Sequence, residues 1–289
     1  MDRKKKEALQ GIIYILPSFI LIACFSVLPI FMSGYFSFTN YNVMNDPTFA
    51  GLENYTKIFK DAYVADAIKN TLAYVVITVP VQTILSLVFA AFLAYKMQNK
   101  AGGFLRSIMF IPVIASAVTA GTIWRIILNT DGGILNNLLG AFNISPVNWL
   151  GSTQTSLISI CIVAIWKNVG YFLVIYYAGI MGISKDLYEA AVIDGANKWD
   201  SFRYITLPSL KPILTTVIIL DSVWWFKQYT QVFTMTAGGP GTATNLISLS
   251  IYGTAFNDLR FGKGAAWGIL VFIICYLINS VYKVVLKDE

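Results

Sequence analysis

Long apolar stretches of roughly 20 residues or more recur six times in this 289-residue chain, and no other feature limits its possible folds as strongly. They run from Gly11 to Ser37, Ala67 to Met97, Phe104 to Leu128, Thr155 to Ile183, Leu207 to Met235, and Ala265 to Val285. Each is long enough to cross the hydrocarbon of a bilayer as a helix. Only 12% of the residues are charged, against about 25% in an ordinary soluble domain. With 56% hydrophobic residues, there is too little polar surface to cover such a chain in water. In lipid every backbone amide must find its partner within the protein, which favours helices. The expectation is an all-α integral membrane protein with six transmembrane helices, organised as one transmembrane domain over residues 1–289. A basic head precedes the first stretch, as in a signal peptide. Its apolar core is too long for one, however, and no small-residue cleavage site follows cleanly, so it is read as a span.

Basic residues set the orientation. With the N-terminus inside, the inner segments hold Arg3, Lys4, Lys5, Lys6, Lys96, Lys100, Arg106, Lys185, Lys198, Arg203, Lys211, Lys283 and Lys287. The outer segments hold Lys57, Lys60, Lys69, Arg260 and Lys263. This bias places both termini in the cytoplasm, in a multi-pass membrane protein. The same bias accounts for the net charge of +6 without nucleic acid, because no basic stripe with interleaved aromatics lies outside the apolar segments.

Several chemistries drop out. The chain has no histidine, which removes the commonest acid–base group and metal ligand. Cys24, Cys161 and Cys275 sit far apart inside apolar runs and read as small hydrophobes, so no metal site and no disulfide is expected. No nucleophile–base set is visible, and the chain is not expected to be an enzyme. No Gly-x-x-x-x-Gly-Lys-Ser/Thr phosphate loop occurs, and Gly262-Lys263-Gly264 lacks its spacing.

Polar groups within the spans are costly and should face a protein interior or a wet cavity. The fourth span carries Trp166, Lys167, Asn168 and Tyr171; the fifth carries Asp221, Trp224, Trp225, Lys227, Gln228 and Tyr229. In an unbroken helix Asp221, Trp224, Trp225 and Gln228 fall on one face, as do Lys167 and Tyr171. Aromatic side chains beside amide and charged groups can cover the apolar face of a ligand and pair its directional polar groups. Lys167, Asn168, Tyr171, Asp221, Trp224, Trp225 and Gln228 are therefore the candidate substrate-binding residues. The competing reading pairs Lys167 with Asp221 between helices and makes the tryptophans packing.

The inner segment 184–208 is distinct. Ser184 is a candidate N-cap, with Asp186 at the positive end of the helix dipole. Leu187, Tyr188, Ala191 and Val192 make one apolar face, and Gly195 can take a positive φ and end the helix. A second short stretch carries Trp199, Phe202 and Tyr204, and Pro208 is expected to open the next span. The result is a helix–turn–helix presenting the small Ala190 and Ala191 to another protein.

Glu189-Ala190-Ala191, three residues, Gly195, nine residues, Ile205, one residue and Leu207-Pro208 together resemble the signature loop of bacterial ABC importer permeases. Further stretches resemble the maltose-type (MalF-like) carbohydrate permeases. These are Phe49-Ala50-Gly51-Leu52-Glu53-Asn54-Tyr55; Arg106, Phe110, Pro112, Ser116, Gly121 and Trp124; and Gly238-Gly239-Pro240-Gly241 with Leu249, Ile251-Tyr252 and Ala255-Phe256. The chain lacks the extra N-terminal spans and the large extracellular insertion of maltose permease itself. That points to the shorter relatives importing di- or oligosaccharides, or glycerol phosphate.

The resemblance implies an ABC type I importer permease fold in which Glu189, Ala190, Ala191 and Gly195 couple to a cytoplasmic ABC ATPase dimer. It also implies a second homologous permease subunit and an extracytoplasmic solute-binding protein. No cofactor is expected on this chain; ATP and Mg belong to the partner ATPase. An ion-coupled secondary transporter would explain six spans but not the loop.

Overall fold

A computed structural model describes residues 3–285, with side chains described for residues 10–280. Of the basic residues counted for orientation, Lys287 lies outside the described residues, and the side chains of Arg3, Lys4, Lys5, Lys6 and Lys283 are not described. The described fold is helical; its only pairing outside helices is an isolated antiparallel bridge between Thr39 and Phe49. Four helices are long and apolar enough to cross a membrane, or up to six if each of two bent pairs counts as one span.

Two compact units are present: residues 1–61 with 251–274, and residues 62–250 with 275–289. In the first, α1 (Arg3–Ile22) continues through a wider π turn (Ala23–Val27) into α2 (Leu28–Ser37), and α3 (Glu53–Phe59) follows. The last carbonyls of a helix lack partners along the helix. Here the buried Asn54 Nδ2 donates to Ser37 O (2.9 Å) and Thr39 O (2.8 Å), and Tyr55 Oη donates to Ser37 Oγ (2.8 Å). The stretch from Phe49 to Tyr55 thus ties a loop to the end of the first span. None of the most apolar window of this span is buried.

The larger unit is built on α4 (Ala62–Lys96), which packs along α8 (Ser156–Met181). Ala90, Ala91 and Ala94 of α4 are buried with Phe172, Leu173 and Tyr176 of α8. Lipid is as apolar as these side chains, so close packing rather than water exclusion holds the pair, and small residues permit it. Gly170 does the same against α5 (Lys100–Ile114), where a Cβ would collide with the Met109 carbonyl. Also in this unit are α6 (Ala117–Ile127), α7 (Ile134–Ala141), α9 (Lys185–Ile193), α10 (Lys198–Ser201), α11 (Leu207–Ser209), α12 (Lys211–Phe226) and α13 (Thr230–Thr236). Helix α14 (Ile247–Tyr252) and α15 (Phe261–Val285) complete the order.

Two expected spans are not continuous. The third bends by 97° between α5 and α6, because Ala115 is extended (φ −62°, ψ 139°) and Ser116 starts a new helix. The fifth does not open at Pro208. A helix starting at Lys198 runs through a π turn (Phe202–Thr206) and α11, then bends by 65° into α12, with Pro212 in its first turn. Helix α12 then ends at Phe226, well short of Met235, and α13 starts separately at Thr230.

Candidate functional site

The loop between α8 and α12 folds as two capped helices. Ser184 Oγ accepts from Asp186 N at the start of α9 (3.3 Å). At its end Gly195 takes φ +83°, with Ala196 N donating to Ala191 O (2.9 Å) and Gly195 N to Val192 O (3.1 Å). This is the Schellman closure that glycine favours. Asn197 and Asp200 then cap the second helix reciprocally, Asp200 N donating to Asn197 Oδ1 (3.1 Å) and Asn197 N to Asp200 Oδ2 (3.1 Å).

The single apolar face expected for α9 divides. Tyr188 and Ala191 are half-buried, whereas Leu187, Val192 and the neighbouring Glu189 and Ala190 are exposed. Tyr188 Oη lies 2.9 Å from Thr206 Oγ1, and Tyr95 Oη bonds the same hydroxyl. The two rings meet edge to face at 6.2 Å. One threonine just before α11 therefore joins α9 to the end of α4. Sequence reasoning missed Thr206; a lone threonine between Ile205 and Leu207 carries no signal of its partners.

The candidate substrate residues separate into three environments. Tyr171, Trp224 and Gln228 line a recess of about 680 Å³ between α8 and α12, together with Lys227 and Asn279. The Tyr171 and Trp224 rings meet at 6.1 Å, and Trp224 is 49% exposed. Beside the aliphatic Ile175, Val217, Ile219, Leu220 and Val223, the walls carry aromatic rings, two amides and one ammonium, which can cover an apolar ring face and hydrogen-bond hydroxyls. Lys227 was visible in the sequence as an in-span charge, whereas Asn279 stands alone in the apolar last span.

Asp221 and Trp225 do not line this recess. Each is only 1% exposed, and both are packed toward α4. Gln82 Nε2 donates to both Asp221 carboxylate oxygens at 3.1 Å, and Trp225 meets the Tyr74 ring edge to face at 5.4 Å. The expectation of one face for Asp221, Trp224, Trp225 and Gln228 is thus corrected. Adjacent helical residues are turned about 100° from one another, which separates Trp224 from Trp225. Gln228 lies beyond the helix end, where the seven-residue spacing no longer applies.

Lys167 and Asn168 form the third group. Lys167 Nζ donates to Val113 O (3.4 Å), not to Asp221, so the interhelical pairing of the two charges is also corrected. Val113 sits in the last turn of α5, whose carbonyls are released by the bend at Ala115, and a cation suits that negative helix end. Asn168 is buried and donates back to Ala164 O (3.0 Å).

The family profile described as the inner membrane component of binding-protein-dependent transport systems matches residues 63–288, and the chain belongs to that family. It is 32% identical over 280 residues to the trehalose/maltose transport system permease protein MalF of Thermococcus litoralis, covering 96% of this chain and 94% of that protein. It is 32% identical over 293 residues to a probable starch degradation products transport system permease protein, AmyD, of Thermoanaerobacterium thermosulfurigenes, covering 100% of this chain and 98% of that one. Its fold matches a chain of a bacterial alginate ABC transporter, crystallised with an alginate pentasaccharide-bound periplasmic protein. The TM-score is 0.86 at 22% identity, over 97% of this chain and 94% of that chain. The maltose-type resemblance therefore holds, and the fold is that of an ABC importer permease. The chain is a multi-pass, non-catalytic membrane component of such a transporter.

Proposed function

We propose that this permease translocates a di- or oligosaccharide, delivered by an extracytoplasmic binding protein, across a bacterial plasma membrane. The observation carrying this reading is the recess in which Tyr171, Trp224 and Gln228 converge with Lys227 and Asn279. Relatives named for trehalose/maltose and for starch degradation products support it. Residues 1–289 form one permease domain with six spans, both termini being cytoplasmic and each bent pair counting as one crossing. Segment 184–208 is the coupling loop, in which Glu189, Ala190, Ala191 and Gly195 seat on a cytoplasmic ATPase dimer that binds ATP and Mg. A second, homologous permease supplies the other half of the path.

In this assignment Tyr171, Trp224 and Gln228 touch the sugar. Asp221 and Trp225 hold α12 in place from behind, while Lys167 and Asn168 serve the backbone. Tyr171→Ala and Gln228→Ala should each leave the complex assembled and lower uptake. An aromatic contact contributes about 0.5–1.5 kcal/mol, which corresponds to roughly 2- to 12-fold for Tyr171→Ala. Uptake, basal ATP hydrolysis and subunit assembly would be measured side by side. Normal uptake in both variants would refute the site, and loss of assembly would make these residues packing. The Lys227 ammonium favours a second reading, import of glycerol phosphate, and competition of that compound against labelled maltodextrin uptake decides between them.

Topology is tested by single cysteines in sealed, right-side-out cells. Impermeant maleimide should label Asp258→Cys and Asn137→Cys but spare Asn197→Cys. The exposed Asn137 is used because its neighbour Asn136 is buried. Labelling at position 197 would invert the orientation.

A further inference from the structure

Helix α7, which lies outside the spans, carries an apolar stripe that no described residue covers. Ile134, Leu138 and Phe142 are 57%, 56% and 76% exposed, and Ala141 beside them is exposed too. Their spacing of 4, 7 and 8 residues from Ile134 places them on one side of the helix and its C-cap. Asn136 points the opposite way and is buried. Its Nδ2 donates to Val147 O (2.9 Å) and Thr130 O (3.1 Å), while its Oδ1 accepts from Trp149 Nε1 (2.9 Å) and Val147 N (3.1 Å). These bonds clamp the rotation of the helix, so the stripe is held facing away from the protein.

We propose that this stripe rests in the lipid surface, at the boundary between headgroups and acyl chains, on the side of the membrane opposite the coupling loop. Position is the first argument. Helix α7 precedes α8 and the coupling loop follows it, and the 26 residues of α8 span about 39 Å. Residues 128–133 alone separate α7 from α6, whose Ile123 and Ile126 are 50% and 63% exposed. The seven steps from Ile127 to Ile134 reach at most about 25 Å, so the stripe stays near the end of a span. Charge is the second argument. No Asp, Glu, Lys or Arg occurs between Asp131 and Lys167, whereas the segments at Asp46–Asp66 and Asp258–Lys263 are charged. A surface meeting a soluble protein gains specificity and encounter rate from charge, but one lying among headgroups does not need it. Free interfacial helices often use basic residues to find the membrane; this one is delivered there by its covalent neighbours.

The test uses the assembled transporter in vesicles of mixed phosphatidylethanolamine and phosphatidylglycerol. Cys24→Ser and Cys275→Ala remove the accessible thiols, Cys161 being buried. A fluorophore is placed in turn at Leu138→Cys, Phe142→Cys and, as a hydrated reference, Asp131→Cys. Doxyl-labelled lipid should quench positions 138 and 142 several-fold more than position 131, and aqueous iodide should show the reverse order. Strong iodide quenching at all three positions would overturn the proposal. So would shielding of 138 and 142 from both quenchers, whether constant or appearing on addition of the binding protein, because the stripe would then be a protein interface. Two independent positions keep the test decisive if one variant fails to assemble.

Discussion

Replacing Gly195 by valine is expected to cut sugar-stimulated ATP hydrolysis about tenfold or more while leaving the spans inserted. Gly195 holds φ +83°, and a Cβ built there meets nothing within 4 Å. The penalty is therefore a backbone one: a β-branched residue at positive φ is strained by about 1–3 kcal/mol. That strain falls on the Schellman closure joining α9 to the second helix, so the relative aim of the two changes. Asparagine tolerates the left-handed region, so Gly195→Asn should retain most of the coupling although it too adds a side chain. Hydrolysis measured in the reconstituted complex, with and without sugar and binding protein, separates the cases. Equal loss in both variants would mean that any side chain at a docking surface is disruptive and the turn conformation is not what matters. Unchanged hydrolysis in both would remove Gly195 from the coupling role.

The second large effect is expected at Gln82 and Asp221. Gln82→Leu leaves the buried carboxyl group without its donor, which costs about 1–3 kcal/mol, and more where the group carries charge. The detergent-solubilised complex should therefore melt earlier or lose subunits. Replacing both partners, Gln82→Leu with Asp221→Leu, removes the unmet need, so stability should return toward that of the parent. A double variant no better than the worse single one would show that the two side chains are not coupled. Uptake by the double variant then bears on chemistry. If Asp221 only positions α12 against α4, a stable double variant transports. If the carboxyl group itself meets the sugar, as its place in the sequence suggested, the variant is stable and inactive.

These two expectations bracket α12. Ahead of the 65° bend that precedes it, Thr206 is bonded by Tyr188 of α9 and Tyr95 of α4; within α12, Asp221 is bonded by Gln82 of α4. Trp224 near the far end of this helix and Gln228 just beyond it line the recess.

How much of this was legible depended on how local each feature is. Span length is a property of consecutive residues, so α4 and α8 fall within a few residues of the stretches read from the sequence. The cap at Ser184 and the positive φ of Gly195 are equally local, since each depends on residues within one turn. The bend at Ala115 was not legible, because it lies within an apolar run that looks continuous; the one at Leu210 lies between Pro208 and Lys211-Pro212, where the first proline was read as the start of the span. Nor were the side-chain partners. A helix solvated by lipid is apolar on nearly every side, so its periodicity does not say which face meets protein. Lys167 turned to a carbonyl released by a bend in another helix, and Asp221 to a glutamine 139 residues away. Sequence alone determined which residues could span and cap. Only the packing of α4, α8 and α12 decided which polar side chains look into a cavity and which into a neighbour, because that choice rests on helix rotation, which no apolar run encodes.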